Sequence, residues 1–93
     1  MIKTWKCQDT QELFFNGHNR RWQGIASVAL RRINALNAAI DINDLLIPPG
    51  NQLEALKGNR KGQYSIRINR QWRICFTWHD NNAHDVEIVD YHN

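Results

Sequence analysis

The spacing of apolar residues changes once along this chain, and the change limits what it can fold into. Trp22, Ile25, Ala29, Ile33, Leu36 and Ile40 recur at steps of three and four, the period of a helix with one buried face. Beyond Pro48-Pro49-Gly50 the period drops to two. Tyr64, Ile66 and Ile68 alternate with Ser65, Arg67 and Asn69, and Trp72, Ile74, Phe76 and Trp78 alternate with Arg73, Cys75 and Thr77. Helices followed by consecutive strands predict an α+β domain with the helices on one sheet face and the other face open.

Local signals fill in the rest. Asp9 and Glu12 suggest a capping box that starts a first helix anchored by Leu13 and Phe14, and Asn16-Gly17 suggests its stop. Ile2 to Lys6 reads as a short first strand, and Asp41 to Ile47 as a short turn of helix. Arg70-Gln71 joins the two alternating runs into a hairpin. Asp80-Asn81-Asn82 marks a second turn, and Val86, Ile88 and Val89 supply a last strand. With 93 residues, a hydrophobic fraction of 42% and four tryptophans, the chain has material for one core, so residues 1–93 are read as a single domain.

Charge is distributed unevenly. From Ala55 to His79 the chain carries Lys57, Arg60, Lys61, Arg67, Arg70 and Arg73 and no acidic residue, although the net charge is only +3. If the apolar set packs on the helices, Arg67 and Arg73 project from the uncovered face. Lys57, Arg60 and Lys61 precede the hairpin and approach the same surface. Such a face attracts a polyanion. The arginines of the helical region, Arg20, Arg21, Arg31 and Arg32, read either as solvated charges or as further RNA contacts.

The chain end, Asp90-Tyr91-His92, adds groups that do chemistry. An imidazole with a reference pKa of about 6.5 suits proton transfer near neutrality. Lys57 and Arg73 are candidates for stabilising the charge that grows on a phosphoryl group during RNA cleavage. Tyr91 is placed to stack on a base or bond a phosphate. His79 and His84 flank a turn without a thiolate partner, and Cys7 and Cys75 lack a metal-ligand spacing and read as free thiols. No metal or nucleotide cofactor is indicated. No run of about 18 apolar residues exists to span a membrane, and the expected location is the cytoplasm.

The run from Leu56 to Asn69 (Leu-Lys-Gly-Asn-Arg-Lys-Gly-Gln-Tyr-Ser-Ile-Arg-Ile-Asn), then Gln71 to Phe76, then Val86 to His92, resembles the HigB-type toxins, plasmid-maintenance killer proteins of the RelE/ParE superfamily. The resemblance implies a RelE-like microbial ribonuclease fold, with two helices on a small, mainly antiparallel sheet. It implies a toxin of a type II toxin–antitoxin system, an mRNA interferase that inhibits translation by cutting messenger RNA in the ribosomal A site without a metal. It also implies a helix-turn-helix antitoxin of the HigA type, joined with the toxin in a hetero-oligomer that meets operator DNA only through the antitoxin. The family's active-site pattern falls on Lys57, Arg73, Asp90, Tyr91 and His92, with Arg60, Lys61, Arg67 and Arg70 as RNA-binding cations. Two other activities fit the same pattern: a ParE-like poison of DNA gyrase on the same fold, and a non-catalytic RNA-binding module.

Overall fold

The computed structural model describes residues Met1 to Tyr91. Helix α1 spans Gln8–Asn16 and α2 spans Ala26–Ala38, followed by strands β1 (Glu54–Ala55), β2 (Gln63–Arg67), β3 (Trp72–His79) and β4 (Asn82–Asp90). The strands form one antiparallel sheet in the order β1-β2-β3-β4. Leu13 of α1 and Ala29, Ile33 and Leu36 of α2 are fully buried in one core with Ile66, Ile74, Phe76 and Val86 of the sheet. The α+β architecture read from the sequence is present, with one short strand, β1, that the apolar pattern does not reveal.

The first helix stops as expected. Gly17 adopts a left-handed conformation (φ 80°) and its N–H donates to the Leu13 carbonyl at 2.9 Å. Its start differs from expectation. Cys7 occupies the N-cap position without a side-chain bond to the helix. The Asp9 carboxylate instead accepts from Asn19 Nδ2 (3.2 Å) and pairs with Arg21 (3.3 Å).

The long helix expected from Trp22 to Ile40 is shorter at both ends. Trp22 belongs to a separate 3₁₀ turn, Arg20–Trp22, capped by Asn19 Oδ1, which accepts from the Arg21 N–H at 2.9 Å. Gln23 and Gly24 separate that turn from α2, and glycine disfavours helix by about 1 kcal/mol. Trp22 is buried all the same, edge-on to Trp72 at 5.2 Å. At the other end, the N–H groups of Ile40 and Asp41 donate to the Asp44 carboxylate (3.0 and 3.1 Å), and Asp41 caps the next 3₁₀ turn, Ile42–Leu46. That capping box diverts the chain, so Ile40 is 76% exposed rather than in the core.

The β2–β3 and β3–β4 connections are turns, as the sequence suggests. Asn69 Oδ1 accepts from the N–H groups of Gln71 (2.8 Å) and Trp72 (2.9 Å). Asp80 (φ 53°) and Asn81 (φ 61°) form the two-residue loop between the paired His79 and Asn82, with the positive φ that tight hairpins require. The expected strand at Ile2–Lys6 is reduced to two parallel bridges, Ile2 with Ala83 and Trp5 with Val86. Between them Asp85 turns to φ 54° and donates to Thr4 Oγ1, which interrupts the ladder. Farther along this edge, the buried hydroxyl of Thr10 in α1 accepts the Ile88 N–H at 3.1 Å. The open side of β4 is therefore occupied by backbone and side-chain partners, as an unprotected sheet edge requires.

Two cross-strand rows define the sheet's faces. Ile66, Ile74 and Ile88 lie in register on the core side, while Ser65, Cys75 and Glu87 lie in register on the other. The second face was expected to be open, and it is partly roofed. Ser65 and Cys75 are fully buried there and Arg73 is only 7% exposed. The Arg73 guanidinium tucks beneath the segment ending at Gln52, whose carbonyl it bonds, so the cation lies in a walled recess.

Candidate active site and nucleic-acid interface

Burying a guanidinium requires partners for its donors, and the sheet supplies them. Arg73 Nε donates to Ser65 Oγ at 2.7 Å, and Nη2 donates to the carbonyls of Gln52 (2.5 Å) and Ser65 (3.4 Å). Gln52 has φ 44° and ψ 57°, a left-handed conformation unusual for a residue with a side chain. It follows a 3₁₀ turn, Pro49–Asn51, secured by the buried Asn51, whose Nδ2 donates to the Leu45 carbonyl at 3.1 Å. A Glu54 oxygen lies 4.0 Å from Arg73, an ion-pair contact longer than a hydrogen bond.

Arg73 lines a cleft of about 410 Å³ together with Gln52, Glu54, Arg67, Asn69, Arg70 and Tyr91. An adjoining cleft of about 310 Å³ is lined by Glu54, Ala55, Leu56, Lys57 and Tyr91. Glu54 and Tyr91 border both. The two candidate catalytic cations thus sit on either side of the same carboxylate and phenol. Gln71 holds the chain end in place, accepting the Tyr91 N–H on its carbonyl (2.8 Å) and donating Nε2 to the Asp90 carboxylate (3.1 Å).

The candidate residues separate on this geometry. Arg67, Arg70, Arg73 and Tyr91 converge on the larger cleft, and Lys57 joins Tyr91 at the smaller one. Asp90 pairs across from Trp72 and lines neither cleft. Arg60 is engaged by Glu87 (3.3 Å) and by Gln63 Oε1 (3.0 Å), while Lys61 is exposed and lines neither cleft. His92 lies outside the described residues.

Three contributors escaped the sequence reading. Glu54 directly precedes the acid-free stretch, and a two-residue strand is too short to show alternation. Gln52 acts through its backbone carbonyl, which no side-chain pattern reports. Ser65 had a signal, since alternation places it on the face of Arg67 and two residues from it, but a serine in a strand is ordinary.

Other chemically active groups are accounted for without the clefts. Burial pushes the Cys75 thiol up to about 11, so it stays protonated at neutral pH and is no nucleophile. Cys7 and Cys75 are both free thiols. The rings of His79 and His84 stack at 4.0 Å and 2°, at the opposite end of β3 from Arg73. Among the described residues, no three His, Cys, Asp or Glu side chains converge as metal ligands. Arg21 pairs with Asp9 and lies 4.4 Å over the Trp22 ring, and Arg32 donates to the Arg67 carbonyl, so both have structural partners.

Residues 7–92 match the model of the family described as RelE-like toxin of type II toxin-antitoxin system HigB. The chain belongs to this family of HigB-like toxins. It is 33% identical over 95 residues to Endoribonuclease HigB of Proteus vulgaris, covering 99% of this chain and 100% of that one. It is 48% identical over 56 residues to Toxin HigB-1 of Vibrio cholerae, a match that spans 60% of this chain and 59% of the Vibrio toxin's length. In structure it resembles a chain of the heterotetrameric YoeB–YefM toxin–antitoxin complex of Staphylococcus aureus, with a TM-score of 0.62 and 27% identity over 100% of this chain and 99% of that one. The RelE-like fold implied by the sequence is the fold observed. Among the described residues, no helix is long and apolar enough to cross a membrane.

Proposed function

We propose that this toxin is an endoribonuclease that cuts messenger RNA on the ribosome and so arrests translation. The observation that carries this reading is the convergence of Arg67, Arg70 and Arg73 with Tyr91 and Glu54 at one cleft, and of Lys57 at the adjoining one. Three guanidiniums around one recess suit a phosphate backbone, and a carboxylate beside them suits proton transfer at the bonded sugar. The match to Endoribonuclease HigB over nearly the whole of both chains supports the same activity.

The substrate's own 2′-hydroxyl attacks the adjacent phosphate. The P–O5′ bond breaks, leaving a 2′,3′-cyclic phosphate and a 5′-hydroxyl. Arg73, held by Ser65 and Gln52, faces the phosphoryl oxygens as they gain charge, and Lys57 approaches from the other side of Tyr91. Tyr91 positions the nucleotide. Glu54, the carboxylate that borders both clefts, accepts the 2′-hydroxyl proton, and His92 returns one to the leaving oxygen. Asp90, bonded to Gln71 and near His92 in sequence, helps hold the chain end and assists the proton transfers. Arg67 and Arg70 bind the flanking backbone, with Lys61 as a peripheral electrostatic contact and Arg60 tied to Glu87.

Membership in a toxin–antitoxin family and the likeness to YoeB in its complex with YefM support a proteinaceous antitoxin as partner. We assign it to the helix-turn-helix HigA type, binding operator DNA on behalf of a toxin–antitoxin hetero-oligomer. Translation places the toxin's work in the cytoplasm.

Adding purified protein to a translating extract and to a gyrase reaction tests this function. Cleaved message with intact DNA is the expected result. Gyrase-dependent DNA breaks with intact message would move the chain to the gyrase poisons, and RNA binding without cleavage in any translating extract would make it a binding module.

A further inference from the structure

The larger cleft has three arginines, but only one of them is held on several sides. Arg70 is exposed, and Arg67 donates Nε to the nearby Asn69 carbonyl at 3.1 Å. Arg73 alone is buried, and its Nε donates to the side chain of Ser65, itself fully buried on the neighbouring strand. At 2.7 Å this bond lies at the short end of the N–H···O range. The Ser65 carbonyl and the Gln52 carbonyl take Nη2, so the guanidinium plane is fixed by a hydroxyl and two backbone oxygens.

Such a cradle has a chemical consequence. A guanidinium on a free side chain neutralises phosphate wherever the two meet, and so binds ground state and transition state alike. A guanidinium whose orientation is set before the substrate arrives favours the one geometry in which its donors meet the oxygens that gain charge. Ser65 is the member of the cradle whose contribution comes from a side chain and can be removed without altering the backbone.

We propose that Ser65 is a positioning residue for RNA cleavage, acting through Arg73: its hydroxyl fixes Arg73 Nε so that the guanidinium meets the charge developing on the phosphoryl group. This rests on the endoribonuclease reading above and names the residue that sets its phosphate-stabilising cation. Ser65 touches no substrate in this account, so its removal acts on turnover more than on binding.

The test is a cycle in which Ser65→Ala and Ser65→Cys are each made in the wild type and in Arg73→Ala. Ser65→Cys nearly preserves volume but offers sulfur, a weak acceptor, which separates the lost bond from a cavity. Cleavage of translated message is followed at saturating and limiting ribosome concentrations, with a thermal melt of each variant to normalise for folded protein. Both substitutions should lower kcat on the order of 10- to 100-fold, the scale of a misplaced catalytic group, and change KM by less than about threefold. In Arg73→Ala neither should lower kcat by more than about twofold further, because the group they act through is gone. The Arg73 Nε–H resonance should be observable and slow to exchange in the wild type and lost in both variants. Unchanged kcat in Ser65→Cys, an equal loss in both backgrounds, or an unchanged Nε–H resonance would overturn the proposal. A wild type that cuts no translated message would instead overturn the endoribonuclease reading, so the two failures are distinguishable.

Discussion

Arg32 of α2 donates Nε to the Arg67 carbonyl at the end of β2, at 2.9 Å, and so ties the helix layer to the rim of the cleft. In the sequence Arg32 is one of several helical arginines that read as RNA contacts or solvated charges. The bond distinguishes it from Arg70, which is exposed at the same cleft. Arg32→Ala should lower stability by about 1 kcal/mol, the net value of a hydrogen bond, and leave the salt dependence of RNA binding unchanged. Arg70→Ala should leave stability within about 0.5 kcal/mol and reduce the slope of log K against log salt by about 0.7, the value for one contact to a single strand. Urea denaturation and salt-dependent RNA titration check the pair. A lower salt slope in Arg32→Ala would return that residue to the RNA surface.

Arg73 has structural partners beside the chemical role proposed for it, and its variants should show both. Arg73→Ala leaves the Gln52 and Ser65 acceptors without their donor, which should lower stability by about 1–3 kcal/mol. Turnover per folded molecule should fall by roughly 10²-fold or more. Arg73→Lys should recover only part, since an ammonium cannot engage Ser65 and Gln52 while facing phosphate as a planar group. Single-turnover cleavage with saturated ribosomes is the measurement. A loss confined to affinity would make Arg73 a binding residue.

Cys75 carries a pH signature. The unfolded chain releases this thiol proton near the ordinary value of 9.0, whereas burial holds it in the folded chain to about 11. Between those values the unfolded state binds fewer protons than the native state, so this group makes stability fall as pH rises from about 9 to 11. Urea midpoints measured across that window should decline more steeply for the wild type than for Cys75→Ala. Parallel slopes would show that the native thiol titrates normally.

Much of the fold is legible in the sequence because single elements announce themselves. The two-residue period fixes β2 and β3, Asp80-Asn81 fixes their neighbour's turn, and Gly17 fixes the end of α1. What escaped depends on competition between distant groups. The shortening of α2 follows from the Asp44 carboxylate taking the N–H groups that would have extended it. The same holds for the site. The Lys57, Arg73 and Tyr91 positions stand out as residue types, and Arg67 and Arg70 as part of the acid-free run. The burial of Arg73 and the arrival of Glu54 follow from how the segment from Pro49 to Ala55 folds back on the sheet, and the diversion of Arg60 from its contact with the distant Glu87 of β4, none of which a local pattern encodes.

His92 follows Tyr91 in sequence, and Tyr91 is anchored by Gln71 at the border of both clefts. His92→Ala should reduce cleavage about 10²- to 10⁴-fold, the usual contribution of a general acid or base. Thermal stability should change little. Growth arrest on induction and in vitro cleavage are the two readouts. Near-normal toxicity would remove the imidazole from the mechanism and leave Glu54 as its principal proton-transfer group.

In the function proposed above, the ribosome supplies what this small surface lacks. Apart from the buried Arg73, the clefts are lined by one phenol, one carboxylate and the more exposed cations Lys57, Arg67 and Arg70, so they orient a flexible RNA poorly on their own. A message held on the ribosome arrives with its geometry already restricted. Primer extension on one transcript, made with and without its start codon and incubated with purified protein in a translating extract, tests this directly. Cleavage within the translated frame, reduced by at least about tenfold when the start codon is removed, is the predicted result. Equal cleavage of the two transcripts would contradict it and leave an endoribonuclease that works without the ribosome.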